Sequence, residues 1–306
     1  MDQGLDGDQG LTSTHAPAGV QRRLARALHR LPGLRLAVLL SGPVGWLVVA
    51  YLGSLAVLLL SALWSTNSFT GEIVRQPTGE NFKALFTGEV YRTITLRTLL
   101  LAVGVTVIDV LLGFPMAFFM AKVATPRWRR LLVVAVLTPL WASYLVKAYA
   151  WRVMLGGGGV LAWALAPLGL DTPGFGLTAV WIVLAYLWLP YMILPIYAGL
   201  DRLPNSLLEA SSDLGGGAWR TFRSVMLPLT FPAVVAGSIF TFSLTLGDYI
   251  AVNIVGGKTQ VIGNVIYASV GAANDLPFAA AFATVPVAVM LVYLLLARRA
   301  GAIENL

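Results

Sequence analysis

EASSDLGGGAWRTFRSVMLP, residues Glu209 to Pro228, is a polar, glycine-bearing segment set between two long hydrophobic runs. Just upstream, Pro204, Asn205 and Ser206 can start a short helix whose apolar face is Leu207, Leu208 and Ala210, with Glu209 exposed in its first turns. Gly215 to Gly217 end it. A second helical piece, Trp219 to Met226, carries Trp219, Phe222 and Val225 beside Arg220 and Arg223, and Leu227-Pro228 is expected to turn the chain into the next hydrophobic run. Two short helices at an angle make a compact knob. Such a knob suits a groove on a partner, and a carboxylate at its exposed end can pair with a partner's cation. The plainer alternative is an amphipathic helix that anchors the loop at a membrane surface.

The runs on either side say what surrounds the knob. The chain has 306 residues, 58% hydrophobic and only 11% charged, with a mean hydropathy of +0.78. A soluble core of ordinary size cannot hide that much apolar surface, so the bilayer is the solvent. Spans of roughly 20 apolar residues are needed to cross it. Six are expected, at about Leu36 to Leu60, Thr98 to Ala121, Leu131 to Tyr149, Leu177 to Leu200, Leu229 to Val252 and Pro277 to Ala297. The first is too long for a signal-peptide core and is read as a retained helix. The fold class is therefore an all-α polytopic membrane protein. Residues 1–35 form a polar and basic tail, acidic and Gly-rich at its start; residues 36–300 form the membrane domain, with a loop at about 201–228; residues 301–306 form a short C-terminal tail.

Lys and Arg fix the sidedness, because translocating flanking positive charge is disfavoured. With both termini inside, 14 of the 21 basic residues fall in the tail, around Arg127, in the Glu209 loop and at Arg298 and Arg299. The loop is thereby placed in the cytoplasm of an N-in, C-in protein of the plasma or inner membrane. The net charge of +7 is mostly this topology signal. Basic residues dispersed between spans do not make a nucleic-acid surface.

The chain carries no engine of its own. A phosphate-binding loop needs Gly, four residues and then Gly-Lys-Ser/Thr. Gly257, Lys258 and Thr259 supply only the second half, since position 252 is Val, and they fall on the outer side. Gly156 to Gly159 reads as a flexible outer loop. The absence of Cys excludes thiolate metal sites and Cys nucleophiles, and His15 and His29 both sit in the tail. No catalytic, cofactor or metal site is expected.

The order Glu209, Ala210, Ser211, then Gly215, then Val225, Leu227 and Pro228 resembles the cytoplasmic "EAA" loop of ATP-binding-cassette importer permeases. Ser211 stands where the family has a second Ala, and Val225 where it has Ile. Further segments resemble spermidine/putrescine-type permeases: Pro139 to Trp151, Leu244 to Tyr249, Ile262 to Ile266 and Ala272 to Phe278. The resemblance spans about Leu99 to Leu296. It implies a type I importer fold with six spans, a non-catalytic subunit, and ATP and Mg used by two separate ATPase subunits. It also implies a second, homologous permease and an extracytoplasmic substrate-binding protein. In that reading Glu209 orients the docking helix, Gly215 allows its turn, and Leu227-Pro228 passes motion to the fifth span.

A path for a small polycation needs carboxylates and aromatic faces, without a site so tight that release stalls. Asp109 and Asp248 lie inside expected spans, and an acid there usually faces a bundle interior or a watery cavity. Asp248, followed by Tyr249, is the better path or gate residue, with an interhelical hydrogen bond as its structural alternative; Asp109 reads more readily as structural. Tyr144, Tyr186 and Trp188 are further path candidates, against interfacial belt or packing roles. The outer acids Glu72, Glu80, Glu89, Asp171 and Asp275 are expected as solvated loop charges. Other substrates of related permeases are ferric iron and opine-like amino-acid conjugates. Outside this class stand an ion-coupled secondary transporter, which would need more mid-membrane carboxylates, and a non-transporting scaffold, which would not need the loop.

Overall fold

The computed structural model describes residues 32–67 and 70–299. Most of the expected 1–35 tail, including its basic run and both histidines, and the 301–306 tail lie outside these residues. The chain divides into two units, Met1–Leu58 and Leu59–Leu306.

The described residues begin with α1 (Pro32–Leu47), a π-helical turn (Val48–Leu52) and α2 (Gly53–Ser61), whose last turn lies past the boundary between the units. Leu39–Ser61 is 23 residues long and apolar enough to cross a membrane. No residue from Val48 to Ser61 is buried. A helix apolar on every side suits a lipid surrounding.

In the second unit a two-stranded ribbon, β1 (Ser65–Thr66) with β2 (Ile73–Val74), pairs antiparallel with Thr66 opposite Ile73. Then come α3 (Glu80–Thr87), α4 (Glu89–Phe118) with a π turn at its end (Phe119–Val123), α5 (Pro126–Trp141), α6 (Tyr144–Leu155), α7 (Val160–Leu165) and α8 (Leu177–Asp201). The loop region holds α9 (Asn205–Asp213) and α10 (Ala218–Thr221), followed by a π turn (Phe222–Met226). The chain ends with α11 (Leu227–Gly247), α12 (Ile250–Val255), α13 (Ile262–Gly271) and α14 (Leu276–Arg299).

The bundle is centred on α4, α8 and α11. Lipid gives helices little reason to associate, so close packing of small residues holds them. A Cβ on Gly104 of α4 would lie 1.8 Å from the Trp181 ring of α8, and one on Gly237 of α11 would lie 3.1 Å from the Met192 Cα. Only glycine leaves room for the Trp181 ring at the first position and for the α8 backbone at the second. Around them one apolar cluster gathers Leu101, Val105, Val183, Leu187 and Val252, and another gathers Phe114, Met120, Met192, Ile196 and Met226.

Three sequence expectations are corrected. The third span is not one rod: α5 and α6 meet at 96°. Ala142 and Ser143 are extended there, three residues after Pro139, which itself stands inside α5. The fifth span stops at Gly247, and Asp248 and Tyr249 form a break before α12. Thirdly, Trp219 to Met226 is not a separate helix that turns at Leu227-Pro228. Ala218–Gly247 runs as a single 30-residue helix, and Leu227 has helical φ −60° and ψ −46°. The wider π turn immediately upstream accommodates a proline ring that would clash in a tight α-helix. Among the described residues five helices are long and apolar enough to cross, and six if the bent pair counts as one span.

Candidate functional site

At one end of the bundle the Glu209 loop is built around a helix stop. Leu214 caps α9, Gly215 follows at φ +78°, the Gly215 N–H donates to Ser212 O at 2.9 Å and the Gly216 N–H to Ser211 O at 2.8 Å. These paired bonds satisfy orphan carbonyls in a Schellman arrangement, and its left-handed position is the one that glycine occupies without strain. Gly216 is fixed for another reason, since a Cβ there would lie 2.6 Å from Ser211 O. The reversed chain is then clasped, with Ser211 Oγ 2.8 Å from Thr221 Oγ1. Leu208 packs into the Phe114–Met226 cluster, while Glu209 and Ala210 face outward. Val225 is half-buried, and Leu227 and Pro228 lie on the exposed side of a continuous helix.

The second constellation forms where α11 breaks. Asp248 Oδ1 accepts the Ala251 N–H at 3.0 Å and so caps the first turn of α12. Its Oδ2 accepts the Tyr144 hydroxyl, and that hydroxyl oxygen in turn accepts the Ala251 N–H at 3.1 Å. The break in α11 and the bend between α5 and α6 thus share one hydrogen-bonded joint. Beside it a cavity of about 320 Å³ is lined by Tyr144, Trp188, Ser243, Gly247, Asp248 and Tyr249, with Leu244 and Ile250. Tyr144 stacks on Trp188 with ring centroids 5.9 Å apart. A neighbouring cavity of about 340 Å³ shares Gly247 and Tyr249, and there Tyr249 stacks on Tyr267 at 4.9 Å. Asp248 is the one ionisable acid lining the first cavity, set among aromatic faces, and no charged residue lines the second.

The structure therefore brings together Asp248, Tyr249, Trp188 and Tyr144, and leaves two expected path residues apart. Tyr186 packs edge-on against Trp151, with centroids 5.3 Å apart, and lines neither cavity. Asp109 is 0% exposed in the buried stripe of α4 and neither carboxylate oxygen has a hydrogen-bond partner among the described residues. Asp275 is not a solvated loop charge: it accepts Thr66 Oγ1 at 2.8 Å and the Phe278 N–H at 3.2 Å, tying the ribbon to the start of α14. Among the described residues no group of three or more metal-ligating side chains occurs.

Residues 89–303 match the family described as binding-protein-dependent transport system inner membrane component. The chain belongs to this permease family. It is 44% identical over 290 residues to the inner membrane ABC transporter permease protein YdcU of Escherichia coli K12, covering 90% of this chain and 92% of the relative. It is 34% identical over 268 residues to the spermidine/putrescine transport system permease protein PotB of Salmonella typhimurium SL1344, covering 86% and 92%. Among solved structures, one chain of a bacterial ABC transporter that imports the acidic polysaccharide alginate superposes with a TM-score of 0.64 at 19% identity, over 90% of this chain and 97% of that one. The all-α, multi-pass, inner-membrane reading thus holds.

Several residues of this permease escaped the sequence reading. Gly216 and Thr221 complete the loop's clasp, and Ser243 lines the cavity. A visible signal existed for Ser243: Ser238, Thr241, Ser243 and Thr245 crowd hydroxyls into an otherwise apolar span. Asn264 had none. It accepts the Val261 N–H at 3.0 Å and donates to Asn253 Oδ1 at 2.6 Å, pinning α13 to α12 across a contact only the fold creates.

Proposed function

We propose that this chain is the translocation subunit of an ATP-driven polyamine importer, lying N-in and C-in, and that it pairs with a second permease, two ATPase subunits and an extracytoplasmic binding protein. The observation carrying the substrate class is the cavity at the α11 break, where aromatic faces of Tyr144, Trp188 and Tyr249 surround the Asp248 carboxylate. Aromatic faces attract ammonium groups and accept methylene chains. A carboxylate already held by Tyr144 and Ala251 supplies field without the full grip that would stall release. Sequence relatedness to permeases named for spermidine and putrescine supports the same class. On the cytoplasmic side the Glu209 knob receives work: Glu209 orients the docking helix, Gly215 holds its stop, and the continuous helix through Leu227 and Pro228 passes movement to α11. The spans then rock as bodies and access alternates around the cavity.

The test is ATP hydrolysis by the reconstituted complex in the presence of its binding protein. Spermidine- or putrescine-loaded binding protein should stimulate hydrolysis and uptake. Stimulation by an iron or amino-acid-conjugate ligand, with none by either polyamine, would replace the substrate class.

A further inference from the structure

A push on α9 reaches only two spans through the chain itself: α8 by way of residues 202–204 and α11 by way of residues 214–217. Two further spans, α4 and α5, meet the loop by side-chain contacts: Leu208 of α9 in the Phe114–Met226 apolar cluster and, in addition, two basic residues. Here the C-terminal ends of α4 and α8 meet, each presenting carbonyls without intrahelical partners and the negative end of a helix dipole. Lys122, in the π turn that ends α4, donates to Leu203 O at 2.6 Å and to Oδ1 of Asn205, the first residue of α9, at 3.1 Å. Arg129, on the first turn of α5, donates from Nε to Met120 O at 3.1 Å and from Nη2 to Ala121 O at 2.7 Å. Its Nη1 reaches Asp201 Oδ1 at 3.0 Å, the one salt bridge among the described residues.

A half-exposed ion pair alone would hold little. This arrangement is more than a pair: a rigid guanidinium fork spans the ends of two helices, and a lysine closes the circuit onto the coupling helix. We infer that Lys122 and Arg129 are positioning residues for energy coupling, carrying movement of α9 to α4 and α5 so that four spans travel as one body. The inference rests on the coupling role proposed for the Glu209 loop. Without the two side chains only apolar packing at the Phe114–Met226 cluster ties α9 to α4 and α5; α4 and α5 then lag behind α8 and α11, and ATP is hydrolysed without passage of substrate.

The experiment uses the whole complex in liposomes. Because the chain contains no Cys, cysteines placed at the exposed Arg127 and Asp213 can carry spin labels that report the α5-to-α9 distance. In the parent that distance stays constant between nucleotide-free and ATP-bound states. In Lys122→Ala/Arg129→Ala it becomes state-dependent, and uptake per ATP hydrolysed falls by roughly fivefold or more, the lower end of coupling effects, while basal hydrolysis persists. Lys122→Arg, which keeps a donor, retains the parent ratio. Asp201→Ala, which removes one contact only, gives a partial loss and serves if the double variant does not assemble. An unchanged ratio and a constant distance in the assembled variants, with Gly215→Ala still uncoupled, would overturn this inference alone. A state-dependent distance in the parent would overturn it as well. If Gly215→Ala is also fully coupled, the loop reading falls with it.

Discussion

Gly215→Ala isolates a backbone term at the Glu209 loop, proposed above to couple ATP hydrolysis to transport. A Cβ added at Gly215 meets nothing within 4 Å, so the substitution removes no contact and creates no clash. What changes is the cost of φ +78°. For an ordinary L-residue the left-handed region costs about 1–2 kcal/mol, and Asn tolerates it better than Ala. That energy shifts the balance between the closed Schellman stop and a frayed α9 by a factor of roughly 5–30. Fraying loses the bonds of Gly215 to Ser212 and Gly216 to Ser211, and with them the alignment that brings Ser211 to Thr221. The assay is uptake and ATP hydrolysis measured on the same liposomes. Membrane insertion and basal hydrolysis should be retained, coupled uptake should fall by a comparable factor in Gly215→Ala, and Gly215→Asn should lie between it and the parent. Equal coupling in Ala and the parent would refute the conformational argument. Equal losses in Ala and Asn would mean that the position is read by a partner's surface rather than by its backbone.

Further outcomes follow from the cavity and the bundle. Tyr144→Phe removes the hydroxyl that donates to Asp248 and accepts from Ala251, a loss of about 1.5–3 kcal/mol for a bond to a charged group; substrate-stimulated uptake should drop while the complex still assembles, and normal uptake would remove the joint from the mechanism. Gly237→Val drives a side chain onto the Met192 backbone and sulfur, an overpacking cost of about 1–3 kcal/mol or more, to be read as lowered thermal stability in detergent; an unchanged melting point would mean that α8 and α11 separate freely. Asp109→Asn should leave uptake near the parent level, because Asp109 is sealed in α4 and lines neither cavity. A folded Asp109→Asn permease that no longer transports would place this carboxyl in the path.

What was legible in the sequence, and what was not, separates along one physical line. Hydropathy reports burial in lipid over about 20 residues, so it located the spans and the loop between them. It could not see the breaks at Ala142–Ser143 and Asp248–Tyr249, because a window of that length averages two residues away inside an apolar run. Pro139 and the Gly247-Asp248 pair were the local hints, yet Pro190 and Pro195 stand in the unbroken α8. Proline alone therefore does not separate a break from a tolerated kink; the tertiary contacts that receive freed backbone groups do. At Asp248 those contacts are the capped Ala251 and the hydroxyl of Tyr144, 104 residues away in the chain. The same argument explains Ser211. In the sequence it is a small departure from a family pattern; in the fold its hydroxyl meets Thr221 and closes the loop on itself. The broken span and the clasped loop use one device, a polar group turned inward to hold an irregular backbone where regular hydrogen bonding stops. It is at such irregular points, rather than along the straight helices, that a bundle held by glycine contacts can have two arrangements to alternate between.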